Sequence, residues 1–200
     1  MRAVRVWDLA TRLGHWLLAV SFAVAWLTAE REAWRHVHVK AGYAMLAVIA
    51  FRVVWGFAGT RHARFAAFVF PLRAVADYAV GLLRRRPPHY TGHNPLGSWS
   101  IFALLALGVA ACVTGVMDYE EWGGRWVGDA HEALSIAMLW VVGLHLAGVA
   151  VSSVAHRENL VAAMVTGQKA GDAGEAVGPG EGRGGAVALV ACVALAVLLA

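Results

Sequence analysis

DAHEALSIAMLWVVGLHLAGVAVSSV, running from Asp129 to Val154, is the stretch whose reading decides the fold. Apart from Asp129, Glu132 and two histidines, its residues are apolar or small. A helix rises about 1.5 Å per residue, so about 20 such residues cross about 30 Å of hydrocarbon. From Ala130 to Val154 the stretch therefore reads as a membrane span. Its opening, Asp129-Ala-His131-Glu132, has the form of a capping box, with an acid at the cap and a glutamate three residues on. His131 and His145 are fourteen positions apart. At about 100° per residue they point about 40° apart, on one helix face, and lie about 21 Å from each other along the axis. One metal ion cannot use both. Two sites at different depths can.

Working outward, three more runs read as spans: Thr11–Leu27, His38–Phe57 and Ser98–Met117. A fifth apolar run, Ala186–Ala200, is shorter and is expected to form a short fifth transmembrane helix. The composition agrees, with 60% hydrophobic residues, 15% charged and a mean hydropathy of +0.60. A soluble domain carries about a quarter charged residues. The fold class expected is thus all-α, an integral membrane four-helix bundle with a fifth C-terminal helix. The domains are residues 1–166 for the bundle, 167–185 for a Gly-rich flexible linker and 186–200 for the short helix. The first run has the basic start of a cleaved leader (Arg2, Arg5). It also carries His15, Trp16 and Trp26, and further spans follow, so it is expected to remain as a span.

Charge sets the orientation. Arg2, Arg5 and Arg12 precede the first span, and the connection from Ala58 to Gly97 holds Arg61, Arg64, Arg73, Arg84, Arg85 and Arg86. The connection from Asp118 to Asp129 has only Arg125 against Asp118, Glu120, Glu121 and Asp129. Basic loops stay cytoplasmic, so the amino terminus and the 58–97 loop are expected inside. The net charge of +4 reflects these loops and does not point to nucleic acid. Within the 58–97 loop, Leu72, Val75, Ala79, Leu82 and Leu83 recur at helical spacing, as in an amphipathic helix on the membrane surface ended by Pro87-Pro88.

Histidine in a span is costly and marks function by default, and neutral imidazole is a ligand for haem iron and other metals. In the expected topology His15 lies in the inner half of the first span, near the depth of His145. His38 opens the second span at the level of His131. Depth alone therefore proposes two pairs, His15 with His145 and His38 with His131, each between facing helices, a usual place for a cofactor. His36 competes with His38, since two residues apart they face nearly opposite ways. Gly42, one turn after His38, leaves room for a flat macrocycle. Arg52, fourteen residues after His38, is on nearly the same face about 21 Å deeper. There it would meet a haem propionate or snorkel to the surface. His62, His89, His93 and His156 are expected to be solvated or interfacial, with His93 a further candidate for a propionate contact. Cys112 and Cys192 belong to no C-x-x-C-H, which excludes covalent haem attachment.

Arg12-Leu-Gly-His15-Trp16, His38-x-x-x-Gly42-Tyr43, Arg52-Val-Val-Trp55-Gly56-Phe57, Arg86-Pro-Pro-His-Tyr-Thr-Gly-His-Asn-Pro95, Ala130-His131-Glu132-Ala-Leu134 and Gly143-Leu-His145 occur in this order over residues 4–169. The ordered set resembles the bacterial cytochrome b561 and nickel–iron-hydrogenase cytochrome b family. That resemblance implies a diheme cytochrome b of the bacterial inner membrane with two non-covalent haem b groups. Carried over, His15 and His145 ligate the cytoplasmic-side haem, and His38 and His131 the periplasmic-side haem. The Gly-rich linker and fifth run lie outside the family core.

The reading that follows is an electron carrier of a respiratory chain and not an enzyme in its own right. It would work between a periplasmic cytochrome c or hydrogenase and membrane quinone, with lipid around it. A rival is a metal-ion or proton transporter whose histidines line a path. Such a path favours acids within the spans, but the third span has none, and Asp129 and Glu132 sit at an entrance. A third reading, a haem-bearing membrane anchor for a periplasmic redox enzyme, is compatible with the first.

Overall fold

The computed structural model describes residues 2–84 and 86–200; Arg85 of the basic run lies outside the described residues. Four long apolar helices dominate: α1 (Leu9–Thr28), α2 (Arg35–Ala58), α4 (Pro95–Tyr119) and α5 (Arg125–His156), with α3 (Leu72–Leu83) between the second and third. All four are long and apolar enough to cross a membrane. Each begins a few residues before the expected run and ends just beyond it, because capping signals in the flanking polar residues decide where a helix stops. Asp8 caps α1, accepting from Thr11 N at 2.9 Å, and Asn94 caps α4, accepting from Gly97 N at 2.7 Å with Pro95 following at the first helical position.

The expected capping box at Asp129 is corrected. α5 starts at Arg125, a full turn earlier, and its N-cap is Gly124 at φ +83°. Gly123 at φ +98° and Gly124 together turn the chain in a conformation that side chains disfavour. The helix then starts as soon as ordinary residues resume, leaving Asp129 and Glu132 inside it.

α1 with α2 and α4 with α5 form two hairpins, which meet through α2 and α4. The seam between them is apolar: Met45 and Ile49 of α2, Cys112 of α4 and Met138 of α5. α2 and α4 approach closely at Gly108, where a Cβ would lie 2.8 Å from Ile49 Cδ1. The outer faces are left apolar and exposed, as at Trp140, Leu144 and Val154, the surface a bilayer covers.

One end of the bundle carries a small polar cap. α6 (Leu160–Thr166) follows α5, and then β2 (Gln168–Gly171) pairs antiparallel with β1 (Arg2–Arg5), with Val4 opposite Lys169. Val6 N and Trp7 N both donate to Gly167 O, and Val177 N donates to Arg5 O. The segment whose composition suggests a flexible linker is thus a hydrogen-bonded strand over part of its length, with Val4, Val6, Trp7 and Ala163 as a core beneath it. Small, flexible residues accept whatever backbone path the paired strand demands. α7 (Arg183–Leu199) then returns along α1 and α2. Leu189 is fully buried there, and Gly185 lets the helix pass the Trp55 ring.

Candidate functional site

The far end of the bundle, opposite the cap, brings His38 of α2 and His131 of α5 together. Their ring centres are 6.1 Å apart and their planes 89° to one another. At that separation both rings could reach one metal atom, whose bond to an imidazole nitrogen would be about 2.0–2.1 Å. Each ring is also held in a defined tautomer. Nδ1 of His38 lies 2.9 Å from Ala25 O and Nδ1 of His131 lies 2.8 Å from Ala111 O. A carbonyl can only accept, so both Nδ1 atoms carry the proton and both Nε2 atoms are left as bases. That is the arrangement by which a backbone carbonyl orients a metal-binding histidine. His36 is exposed on the opposite side of the helix.

His15 of α1 and His145 of α5 lie toward the cap end, within electrostatic reach of each other. Nδ1 of His15 is buried without a hydrogen-bond partner. Nδ1 of His145 is 3.4 Å from Ser100 Oγ of α4, at the long limit of a hydrogen bond. This pair is less tightly set than the first. Space is available beside both pairs: a Cβ on Gly42, one turn from His38, or on Gly148, close to His145, would meet nothing within 4 Å. Among the described residues no three metal-ligating side chains cluster. A haem iron, whose porphyrin supplies the other ligands, needs only two from the protein. The donor set fits a bis-histidine haem better than a bare ion.

Arg52 is near the cap end of α2, its guanidinium carbon 4.9 Å from the Phe65 ring centre and 5.8 Å from that of Phe68. Four histidines expected to be solvated or interfacial are instead built into the cap. His62 is buried, with Nε2 2.7 Å from Glu175 O. His156 Nε2 lies 3.0 Å from Tyr78 OH, and the His89 ring is beside it. His93 packs against Trp7 and Phe68, with ring centres 4.6 and 4.3 Å away. Burial pushes its pKa down to about 3, with Arg52, Lys169, His62 and His145 acting in the same direction. His93 is therefore neutral at physiological pH. The reason these residues look solvated in sequence is that their partners are 25 to 113 positions away, and Gly-Pro-rich surroundings carry no periodicity to announce burial.

A family model described as prokaryotic cytochrome b561 matches residues 6–167. The chain is also similar to curated proteins called probable Ni/Fe-hydrogenase B-type cytochrome subunits. It is 28% identical to that of Azotobacter chroococcum mcd 1 over 211 residues, covering 82% of this chain and 88% of the relative. It is 32% identical to that of Azotobacter vinelandii over 150 residues, 62% of each chain. It is 26% identical to that of Rhizobium leguminosarum bv. viciae over 217 residues, 84% and 89%. No solved structure matches. The family match ends at residue 167, before α7 begins.

Proposed function

Because the chain belongs to the prokaryotic cytochrome b561 family, we propose that it carries electrons through two non-covalent haem b groups, held by His38 with His131 and by His15 with His145. Membership makes it a membrane-integral b-type cytochrome of electron transport; the haem count, the ligand pairs and the partners are the proposal. When bound, haem supplies one-electron redox chemistry, and the protein contributes axial ligands, burial and spacing. His38 and His131 present Nε2 as a base because their Nδ1 protons are engaged by Ala25 O and Ala111 O. Gly42 and Gly148 keep side chains out of the space beside the ligands. Arg52, fourteen residues after His38 on α2 and near its cap end, would supply a positive charge for a propionate of the haem held by His15 and His145.

The observation that carries this reading is the 6.1 Å spacing of His38 and His131 with both Nδ1 atoms pinned. A transport path would not need two rings locked at a metal-bridging distance. The basic loops put the cap in the cytoplasm of a bacterial inner membrane and the His38–His131 end outside. The external redox partner is a hydrogenase, as the names of the relatives suggest, with a periplasmic cytochrome c as the alternative. Membrane quinone is the partner within the bilayer.

A pyridine haemochrome assay on purified protein tests the count and is expected to give two haems of b type per chain. His131→Ala and His145→Ala should each leave one haem, since the two residues lie about 21 Å apart on α5. One haem in the wild type, or loss of both from either change in folded protein, would overturn the two-site assignment. His36→Ala should spare both.

A further inference from the structure

We infer that Arg52 and His93 together form a carboxylate pocket at the cap end of the bundle, and that it takes a propionate of the haem held by His15 and His145. The inference rests on the two-haem reading above. Two buried nitrogen atoms, Arg52 Nη1 and His93 Nδ1, have no hydrogen-bond partner. A buried donor or acceptor left unmatched costs about 1–3 kcal/mol, and more when charged, so two in one place signal a missing acceptor. They belong to one place: the Phe68 ring lies 5.8 Å from the Arg52 guanidinium and 4.3 Å from the His93 ring. They come from different elements, α2 and the segment just before α4, so neither position alone suggests the other.

The nearby acids do not supply the acceptor. Asp8 already accepts from Thr11 N and Oγ1 and from Thr60 Oγ1, with Trp55 Nε1 at 3.4 Å. Glu158 accepts from Ala170 N and faces Lys169 and His89. Two cations, Arg52 and Lys169, oppose protonation of His93, together with the rings of His62 and His145, and no acid is among the groups that act on it. Such a pocket wants an anion. A planar carboxylate suits a guanidinium on one oxygen and a neutral imidazole N–H on the other.

The geometry of the cap holds the second donor in place. Trp7 and Phe68 pack the His93 ring, and Lys169 Nζ donates to Tyr90 O at 3.0 Å and to Gly92 O at 3.2 Å, fixing the backbone that carries it. Through Lys169 of β2 and through Trp7, just after β1, the cap thereby supports a cofactor contact. Of the two rings nearest this pocket, His145 is close enough to act on His93 electrostatically, which ties the pocket to the cap-end haem site and not to the far one.

The test uses the haem-loaded protein. Arg52→Gln and His93→Leu are each examined by resonance Raman spectroscopy of the propionate bending bands and by potentiometric titration of both haems. Both variants should move the propionate band of one haem. Arg52→Gln should also lower the midpoint potential of that haem alone, because removing a cation favours the oxidised state. His93→Asn, which keeps a donor N–H, should restore the band that His93→Leu shifts. If the pocket instead takes a free anion, the propionate bands stay unmoved in every variant while added inorganic phosphate or acetate changes the potential, and the assignment is overturned. Two haems with unmoved bands and unmoved potentials overturn the pocket alone. A wild-type protein with a single haem, lost on His131→Ala, overturns the two-haem reading and the pocket with it.

Discussion

A Cβ placed on Gly115 would lie 2.9 Å from Cε1 and 3.1 Å from Nδ1 of His131. The ring cannot give way freely, since its Nδ1 is engaged by Ala111 O one turn earlier on the same helix α4. Overpacking of this kind costs about 1–3 kcal/mol when the neighbour must move, and here the neighbour is a proposed haem ligand. Gly115→Ala is expected to displace His131 and lower occupancy of the far-end haem while the other haem stays. Gly143→Ala, whose Cβ meets nothing within 4 Å, is the control and should retain both. Haem content per chain and the redox titration of each haem check the pair; equal behaviour of the two variants would mean Gly115 does not seat the ring. At this scale the sequence made the histidines visible, because an imidazole in an apolar run stands out. The small residue that seats one of them did not stand out, because glycine is common in membrane helices for many reasons.

The element least anticipated in its packing is α7. Composition makes it an apolar helix, but its place depends on three small or bonded contacts with other elements. Gly14 of α1 meets Leu189 and Gly185 meets the Trp55 ring. Gly182, at φ +80°, sits against Asp8, the residue that caps α1. A Cβ at Gly185 would come 2.5 Å from Trp55 Cη2. Gly185→Val is therefore expected to lift α7 from α2 and raise hydrogen exchange of its amides, with two haems still bound because α7 bears no ligand. Unchanged exchange would show that Trp55 swings aside, and loss of haem would show that α7 supports the ligand helices. α3 behaved differently: the apolar residues from Leu72 to Leu83 recur at helical spacing, and the structure has a helix over that stretch that stops at Leu83, before Pro87-Pro88. Amphipathic periodicity is a local property and survives in sequence. The strands β1 and β2, four residues each, are too short for period-2 alternation to show, and each exists only because the other pairs with it.

For the whole molecule, the two proposed ligand pairs, at the two ends of one helix, would give electrons a route across the bilayer. In membrane vesicles, a reductant confined to the side of the 118–129 loop is expected to reduce the far-end haem first and then the cap-end haem. His145→Ala should leave the first reducible and block transfer to an acceptor on the cap side. Onward transfer unaffected by His145→Ala, or a far-end haem unreachable from outside, would leave an anchoring role as the better account. By itself the sequence determined the class of fold and its four long spans, because burial in lipid is a sum over consecutive residues and helical periodicity lies within each segment. It also ordered the histidines by depth, since position along a helix converts directly to distance along the axis. Only the tertiary structure decided which atoms meet. The Nδ1 atoms of His38 and His131 find Ala25 O and Ala111 O, the β1–β2 pairing closes the cap, and Phe68 brings Arg52 beside His93. Each of these joins residues distant in the chain, through backbone carbonyls or rings with no sequence signature of their own, and only packing the helices together defines them.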